Sequence, residues 1–158
     1  MAIDSINSVI CSGGLFLARD TQRFLLLLRT QEKTAGTWGI VGGKREPNDK
    51  TPLDTLNREI SEEIGEVPAI KKIIPLELFS SHDSHFHYNT YVLIVDHEFV
   101  PTLNSEHAGY AWCNYLNWPQ PLHRGVRNSL NNRVIKAKLE LLLDLIQPPS
   151  NTSPSSLV

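Results

Sequence analysis

A glycine-rich turn followed closely by a short acidic helix is the feature that most constrains this chain. The turn contains Gly42–Gly43, and the helix begins after Thr51, a good N-cap that is followed by proline. Asp54 occupies the position where a capping box places its acidic partner. Gly65 suits the residue just beyond the last turn. Together these signals predict a helix from Pro52 to Ile64.

The predicted helix carries its carboxylates beside an apolar stripe. Helical spacing places Glu59, Glu62 and Glu63 on one face. The neighbouring face consists of four apolar residues that would dock on a sheet: Leu53, Leu56, Ile60 and Ile64. A solvated acidic face is the simpler interpretation, but carboxylates beside a glycine turn also suit hard divalent cations. Arg58 lies four residues before Glu62 and is positioned to hold that carboxylate.

This segment resembles the signature of the Nudix hydrolases. That signature is a glycine, five residues, a glutamate, seven residues, and then R-E-U-x-E-E-x-G-U, in which U is apolar. Here Gly43 is followed by five residues, Asp49, eight residues, and Arg58–Glu66 with the sequence REISEEIGE. Three departures stand out: Asp49 replaces glutamate, one residue is added before Arg58, and Glu66 replaces the last apolar residue. The approach Thr37–Gly43 also looks like that of the family.

The resemblance implies a metal site and a set of catalytic residues. The metal ligands would be Glu59, Glu62, Glu63 and the carbonyl of Gly42, with Mg²⁺ as the cation and Mn²⁺ as a substitute. Arg58 would orient a glutamate. In this family a general base often comes from a loop late in the chain, and Glu106 occupies such a loop; Glu62 or Glu63 is the alternative for orienting water.

The resemblance also implies the reaction and the substrate contacts. The family cleaves a pyrophosphate bond in a nucleoside diphosphate linked to another group, and Arg29, Trp38 and Gly43 are the expected substrate-binding residues. A core or loop anchor is an equal alternative for Trp38. Since the chain has no long N-terminal extension, a nucleoside triphosphate, intact or damaged, is the first expectation. ADP-ribose, a nucleotide sugar, a dinucleoside polyphosphate and capped RNA stay open.

The order of predicted elements favours an α+β fold. The expected strands are Ile6–Leu17, interrupted at Gly13–Gly14, then Arg23–Arg29, Ala69–Ser80, Tyr88–Asp96 and Ala111–Tyr115. The apolar run Leu25–Leu28 suits a central strand. After a break at Pro119–Leu122, a last helix is expected over Asn132–Ile146. The resemblance implies the same plan, an α/β/α sandwich with helices covering a mixed sheet.

The whole chain reads as one domain over residues 1–147 with a polar tail at 148–158 that we expect to be disordered. Its 158 residues and net charge of −2 suit a single globular domain and make long nucleic acid an improbable partner. No apolar run approaches the length of a membrane span, so we expect no membrane partner. Because Cys11 and Cys113 form no redox or metal spacing, we expect a cytoplasmic location. A small nucleotide is the expected partner, and a homodimer stays open.

Three other interpretations compete with the enzyme. The histidines of Ser81–His87 have the spacing H-x-x-H-x-H, which invites a zinc site, although a polar hairpin tip is the simpler interpretation. The extra residue before Arg58 would suit a catalytically silent nucleotide-binding module of the same fold. A plain interaction domain with an acidic surface helix leaves the glycine turn unexplained.

Overall fold

The computed structural model describes residues 8–146, which form a mixed sheet and three helices. The capping signals around Thr51 are all present, so the first helix covers the predicted range. The strands are β1 (Val9–Ala18), β2 (Arg23–Arg29), β3 (Trp38–Gly39), β4 (Val41–Lys44), β5 (Lys72–Ser80), β6 (Phe86–Val95) and β7 (His107–Asn114). The helices are α1 (Pro52–Ile64), α2 (Arg124–Asn131) and α3 (Arg133–Leu145).

Strand β1 organises the sheet because three other strands pair with it. The main order is β3-β2-β1-β6-β5, with β4 also paired to β1 and β7 to β2. Only the β1–β6 pairing is parallel among the described strands, so the sheet is mixed as predicted. The prediction that Leu25–Leu28 lies in a central strand is confirmed, since β2 lies between β1 and its other neighbours.

Helices cover both faces of the sheet, which confirms the α+β sandwich. Alternate residues of β1 and β2 point to opposite faces, because side chains alternate along a strand. The α1 face buries Phe16, Leu25, Leu27, Leu56, Ile60 and Ile64. The face covered by α2 and α3 buries Leu15, Leu17, Phe24, Leu26, Leu130 and Leu139. Both faces of the central strands are therefore buried, and α1 packs on one of them.

Several sequence predictions were wrong in detail. Strand β1 runs without interruption through Gly13–Gly14. Its glycines allow close packing, since a Cβ at Gly13 would overlap the hydroxyl of Tyr88. Strand β7 begins four residues earlier than expected, at His107 instead of Ala111. Helix α2 was not predicted, and it directly precedes α3, with Asn132 capping both helices.

Two further expectations concern the ends of the chain and membranes. Within residues 8–146 no helix combines the length and apolar character needed to cross a bilayer. The expected polar tail at 148–158 lies outside the described residues, as does the start of the first predicted strand.

Candidate active site

Helix α1 places two of its glutamates against the glycine turn. The capping box fixes its start: the Thr51 hydroxyl accepts from the Asp54 N–H, and the Asp54 carboxylate accepts from the Thr51 N–H. The apolar stripe then docks α1 on the sheet, so Glu59 and Glu63 lie at the edge of this contact and are buried. Glu62 points outward, with about half of its side chain exposed.

The glycine turn contacts these two carboxylates directly. The Gly42 N–H donates to Glu63 Oε2 over 2.8 Å. A Cβ at Gly43 would overlap the Glu59 carboxylate, so only glycine leaves room for that side chain. The predicted association of the turn with the acidic helix is therefore present in the fold. The backbone of the turn therefore holds the carboxylates in fixed positions, as a preorganised catalytic or binding site requires.

Glu63 is the most perturbed carboxyl group of the cluster. Burial, together with a side-chain hydrogen bond to Glu106, raises the pKa of Glu63 to about 9, against the lowering effect of the Gly42 N–H. Burial also raises the pKa of Glu59, although Arg58 opposes it. Two carboxyl groups can share a hydrogen bond only if they hold a proton between them. A carboxyl group perturbed in this way by burial and by a neighbouring carboxyl group is typical of a functional site.

The loop before β7 brings Glu106 to α1. The Asn104 amide donates to the Glu62 carbonyl over 2.9 Å, and its oxygen accepts from the Glu106 N–H over 3.0 Å. The Thr30 N–H donates to the Glu106 carbonyl over 3.0 Å. These bonds hold the loop against the C-terminal end of α1 and the end of β2. Glu106, which lies far from the signature in sequence, is thereby brought beside Glu63.

Arg58 is anchored chiefly by Asp49. Its Nη2 donates to Asp49 Oδ2 over 2.9 Å and to the Lys44 carbonyl over 2.8 Å. Its Nη1 donates to Glu59 Oε1 over 3.0 Å, while the contact with Glu62 is longer, at 3.3 Å. The sequence suggested Glu62 as the partner of Arg58; the structure adds three closer partners, namely Asp49, Glu59 and the Lys44 carbonyl. Asp49 is itself buried, and it accepts from the Glu46 N–H and from the hydroxyl of Thr55.

The carboxylates suit a divalent cation in their chemistry. Hard cations such as Mg²⁺ and Ca²⁺ prefer carboxylate and carbonyl oxygens, and the buried Glu59 and Glu63 lie beside the Gly42 backbone. Within residues 8–146 no three acidic, histidine or cysteine side chains already converge as a metal-binding group. Arg58 instead engages the oxygens of Glu59 and Glu62. Metal binding therefore requires rotations of these side chains away from the arginine.

The three predicted substrate contacts lie at one end of the sheet. Arg29 donates to Thr34 Oγ1 and to Gln31 Oε1, so it also shapes the loop after β2. Trp38 is half-buried and packs against the core below α2 and α3, the position of a core anchor. Gly43 lies at the Glu59 carboxylate. Their roles in substrate binding stay predictions.

Two buried groups near the site lie outside the signature. Tyr88 packs its hydroxyl under Gly13 and Gly42, and burial raises its pKa. His107, opposite Arg29 on β7, is buried with no partner for its Nδ1, and burial lowers its pKa. The sequence offered His107 only as a weaker candidate for the general base than Glu106. Sequence reasoning missed Tyr88, which belongs to no recognisable motif, so only the sheet register could have revealed it.

The histidine-containing connector lies apart from this cluster and behaves as a hairpin tip. His87 Nδ1 shares a hydrogen bond with the Ser80 hydroxyl, and its Nε2 contacts the Ser84 carbonyl, each over 2.9 Å. Both ring nitrogens therefore have protein partners. In the part of the chain that the structure describes, the three histidines form no metal-binding group.

Comparisons with known proteins give one family and one fold. The family model of the NUDIX domain matches residues 12–130, well over half of the chain. A search of curated proteins finds no match.

Solved structures share the fold at low sequence identity. The NUDIX domain of Shewanella oneidensis NrtR, complexed with ADP ribose, is 17% identical with a TM-score of 0.66, over 85% of this chain and 88% of that one. An Ap4A hydrolase of C. elegans is 16% identical with a TM-score of 0.62, over 84% and 98%. A MutT/nudix family protein of Enterococcus faecalis is 20% identical with a TM-score of 0.57; the match covers 66% of this chain but 43% of that protein.

Proposed function

Because this chain belongs to the Nudix family, we propose that it hydrolyses a pyrophosphate bond in a nucleoside diphosphate linked to another group, with Mg²⁺ as its cation. The observation that carries this proposal is the packing of buried Glu59 and Glu63 against the Gly42–Gly43 turn, with Glu106 brought beside them. A purely structural acidic surface would leave these carboxylates in water. Burying several of them together costs stability, which is understandable if they serve a cation.

In the proposed site each side chain has a separate task. Glu59, Glu62, Glu63 and the Gly42 carbonyl would hold the cation. When bound, such a cation offsets phosphate charge and lowers the pKa of its water. Arg58, fixed by Asp49, keeps Glu59 and Glu62 in place when they are not engaged. Glu106 would accept a proton from the attacking water, since a base must lie within hydrogen-bond reach of the proton that it removes.

Two of the similar structures support a nucleotide substrate. One is complexed with ADP ribose, and the other is an Ap4A hydrolase; both compounds contain a nucleoside diphosphate linked to a further group. A nucleoside triphosphate, the first expectation from the sequence, belongs to the same chemical class. All three are therefore included in the test below.

The proposal is tested by a screen and one isosteric substitution. Purified protein with Mg²⁺ or Mn²⁺ is offered triphosphates, ADP-ribose, nucleotide sugars and dinucleoside polyphosphates, and the products are identified by mass. Glu63→Gln should lower kcat at least about 100-fold while leaving the circular dichroism spectrum and Tm near those of the wild type. Glutamine keeps the size of the side chain and an oxygen for the Gly42 N–H.

The matched control is Glu66→Gln, an exposed residue one position past Gly65, which should leave kcat unchanged. No detectable hydrolysis of any substrate with either cation, or full activity of Glu63→Gln, would rule out metal-dependent hydrolysis at this site. The first result would favour a nucleotide-binding module without catalysis.

A further inference from the structure

A cavity outside the carboxylate cluster lies between the loop after β2 and the beginning of α2. Its volume is about 310 Å³. Its lining contains no acidic residue and consists of Lys33, Thr34, Thr37, Pro121, Leu122, His123, Arg124 and Arg127. Three permanent cations therefore surround one small volume in a chain whose net charge is −2.

The three cations that line the cavity form no ion pair with any described residue. Among the described residues, no acidic side chain lies within salt-bridge distance of Lys33, Arg124 or Arg127. Elsewhere, Arg23 forms a bidentate pair with Glu98, with distances of 2.6 and 2.7 Å. Like charges gathered around a cavity repel one another, and a bound anion would relieve that repulsion. Arginine is also the side chain best suited to bind phosphate through paired donors.

The walls of the cavity are built before any ligand arrives. Arg29 Nε donates to Thr34 Oγ1 over 2.9 Å, and the Thr37 hydroxyl donates to the Thr34 carbonyl over 2.6 Å. On the other side, Trp38 exchanges backbone hydrogen bonds with Pro121 and His123, at 2.9 and 2.7 Å. A preorganised cavity binds a ligand with less loss of conformational freedom than a mobile surface.

The cavity lies within reach of the carboxylate cluster. Thr37 and Gly42 are five residues apart, which spans at most about 17 Å even in a fully extended chain. Arg29 lies between the cavity and the carboxylate cluster. Arg29 Cδ and the Cβ of His123, which lines the cavity, lie 3.5 and 3.7 Å from where a Cβ on Gly39 would be. The next residue after Arg29, Thr30, is bonded to the Glu106 carbonyl. A separation of up to about 17 Å leaves room for a nucleoside between a phosphate in the cavity and a pyrophosphate at the carboxylate cluster.

We propose that the cavity binds a second phosphate group of the substrate, carried on the ribose at the 2′ or 3′ position, remote from the pyrophosphate to be cleaved. The proposal rests on the proposed function, and it narrows the substrate to nucleoside diphosphate derivatives with a phosphorylated ribose. Lys33, Arg124 and Arg127 bind that phosphate, while the carboxylate cluster acts on the pyrophosphate. The cavity thus determines specificity and takes no part in bond cleavage.

Matched pairs of substrates test the proposal directly. NADP⁺ differs from NAD⁺ by one ribose 2′-phosphate, and coenzyme A differs from dephospho-coenzyme A by one 3′-phosphate. We expect kcat/KM to be at least about 10-fold higher for the phosphorylated member of at least one pair, which corresponds to about 1.4 kcal/mol. Arg127→Gln and Arg124→Gln should bring that ratio towards one. Arg133→Gln, an exposed arginine at the start of α3, is the matched control and should keep the ratio.

A binding experiment separates this proposal from the proposed function. Calorimetry without a divalent cation compares adenosine 2′,5′-bisphosphate and 3′,5′-bisphosphate with 5′-AMP. Tighter binding of a bisphosphate, weakened by Arg127→Gln and by added salt, supports the cavity even if no substrate is hydrolysed. Equal binding of all three, with equal turnover within both substrate pairs, overturns the cavity and leaves pyrophosphate hydrolysis intact.

Discussion

Asp49 shows how a single shorter side chain can be accommodated in the signature. An aspartate stands where the resemblance calls for glutamate, and the segment between Asp49 and Arg58 is one residue longer than in the signature. The aspartate nevertheless reaches Arg58 over 2.9 Å while accepting from Thr55 and from the Glu46 N–H. The sequence showed the substitution and the insertion as two unrelated departures. In the fold both changes are compatible with the ion pair, since the shorter carboxylate reaches the arginine with the extra residue between them.

The buried pairing of Asp49 predicts a pH dependence of stability. Hydrogen bonds from Arg58 and the Glu46 N–H hold the pKa of Asp49 well below its usual range. A carboxyl group whose pKa is lower in the folded than in the unfolded state stabilises the fold above its unfolded pKa of about 3.9. That contribution is lost as the pH falls below this value. Asp49→Asn lacks this contribution, so its unfolding free energy should fall less steeply than that of the wild type between about pH 4 and pH 2.

Denaturant unfolding at a series of pH values measures this difference. Glu32→Gln, an exposed carboxylate outside the site, is the control and should follow the wild-type slope. Parallel curves for the wild type and Asp49→Asn would show that Asp49 does not carry the ion pair in solution.

At the scale of elements, local signals predicted α1 well and left α2 unseen. The limits of α1 follow from Thr51, Asp54 and Gly65, which act within a few residues of the helix ends. Helix α2 has only two apolar residues, Val126 and Leu130, among arginines and asparagines, and so short an apolar face gives little helical periodicity to recognise. Its position depends on contacts with the loop near Trp38, which are distant in sequence. The same holds for Glu106, whose approach to Glu63 is fixed by the register of β2 and β7.

The two adjacent glycines of strand β4 should respond differently to alanine: Gly42 affects mainly the stability of the fold, and Gly43 affects mainly catalysis. A Cβ at Gly42 would overlap the Ser12 carbonyl oxygen and lie 2.7 Å from the Gly13 Cα, both backbone atoms that cannot move away easily. Gly42→Ala should therefore lower the unfolding free energy by about 1–3 kcal/mol. At Gly43 the overlap is with the Glu59 carboxylate, the flexible end of a side chain. Gly43→Ala should keep Tm near that of the wild type but lower kcat at least about 10-fold, because Glu59 is displaced.

Thermal unfolding and steady-state kinetics on the two variants check both halves. If Gly43→Ala were fully active, the Glu59 carboxylate would not need its place at the turn. If Gly42→Ala were as stable as the wild type, the backbone contact between β1 and β4 would be looser than described.

At the scale of the whole molecule, the two cores are joined through the central strands. Leu15, Leu17 and Leu26 belong to the core under α2 and α3, while Phe16 and Leu27 belong to the core under α1. Each of these strands therefore contributes to both cores, so detachment of one helical layer weakens the strands on which the other layer packs. The general plan of a sheet covered on both faces could be predicted from the sequence. The pairing of β1 with β6, which connects distant segments, could not, because no local pattern encodes a parallel partner.

This coupling predicts that damage to one core unfolds the other at the same time. Leu139 on α3 is fully buried, and Leu139→Ala should cost about 2–5 kcal/mol. Leu141→Ala on the same helix, where 58% of the residue is exposed, should cost under about 0.5 kcal/mol. Unfolding followed by tryptophan fluorescence, to which Trp38 and Trp118 at one core and Trp112 at the other contribute, and by far-ultraviolet circular dichroism should give one coincident transition in every variant. Because α1 is held on the opposite face, the folded Leu139→Ala variant should keep the kcat of the wild type. Separate unfolding transitions for the two probes would mean that the two helical layers unfold independently.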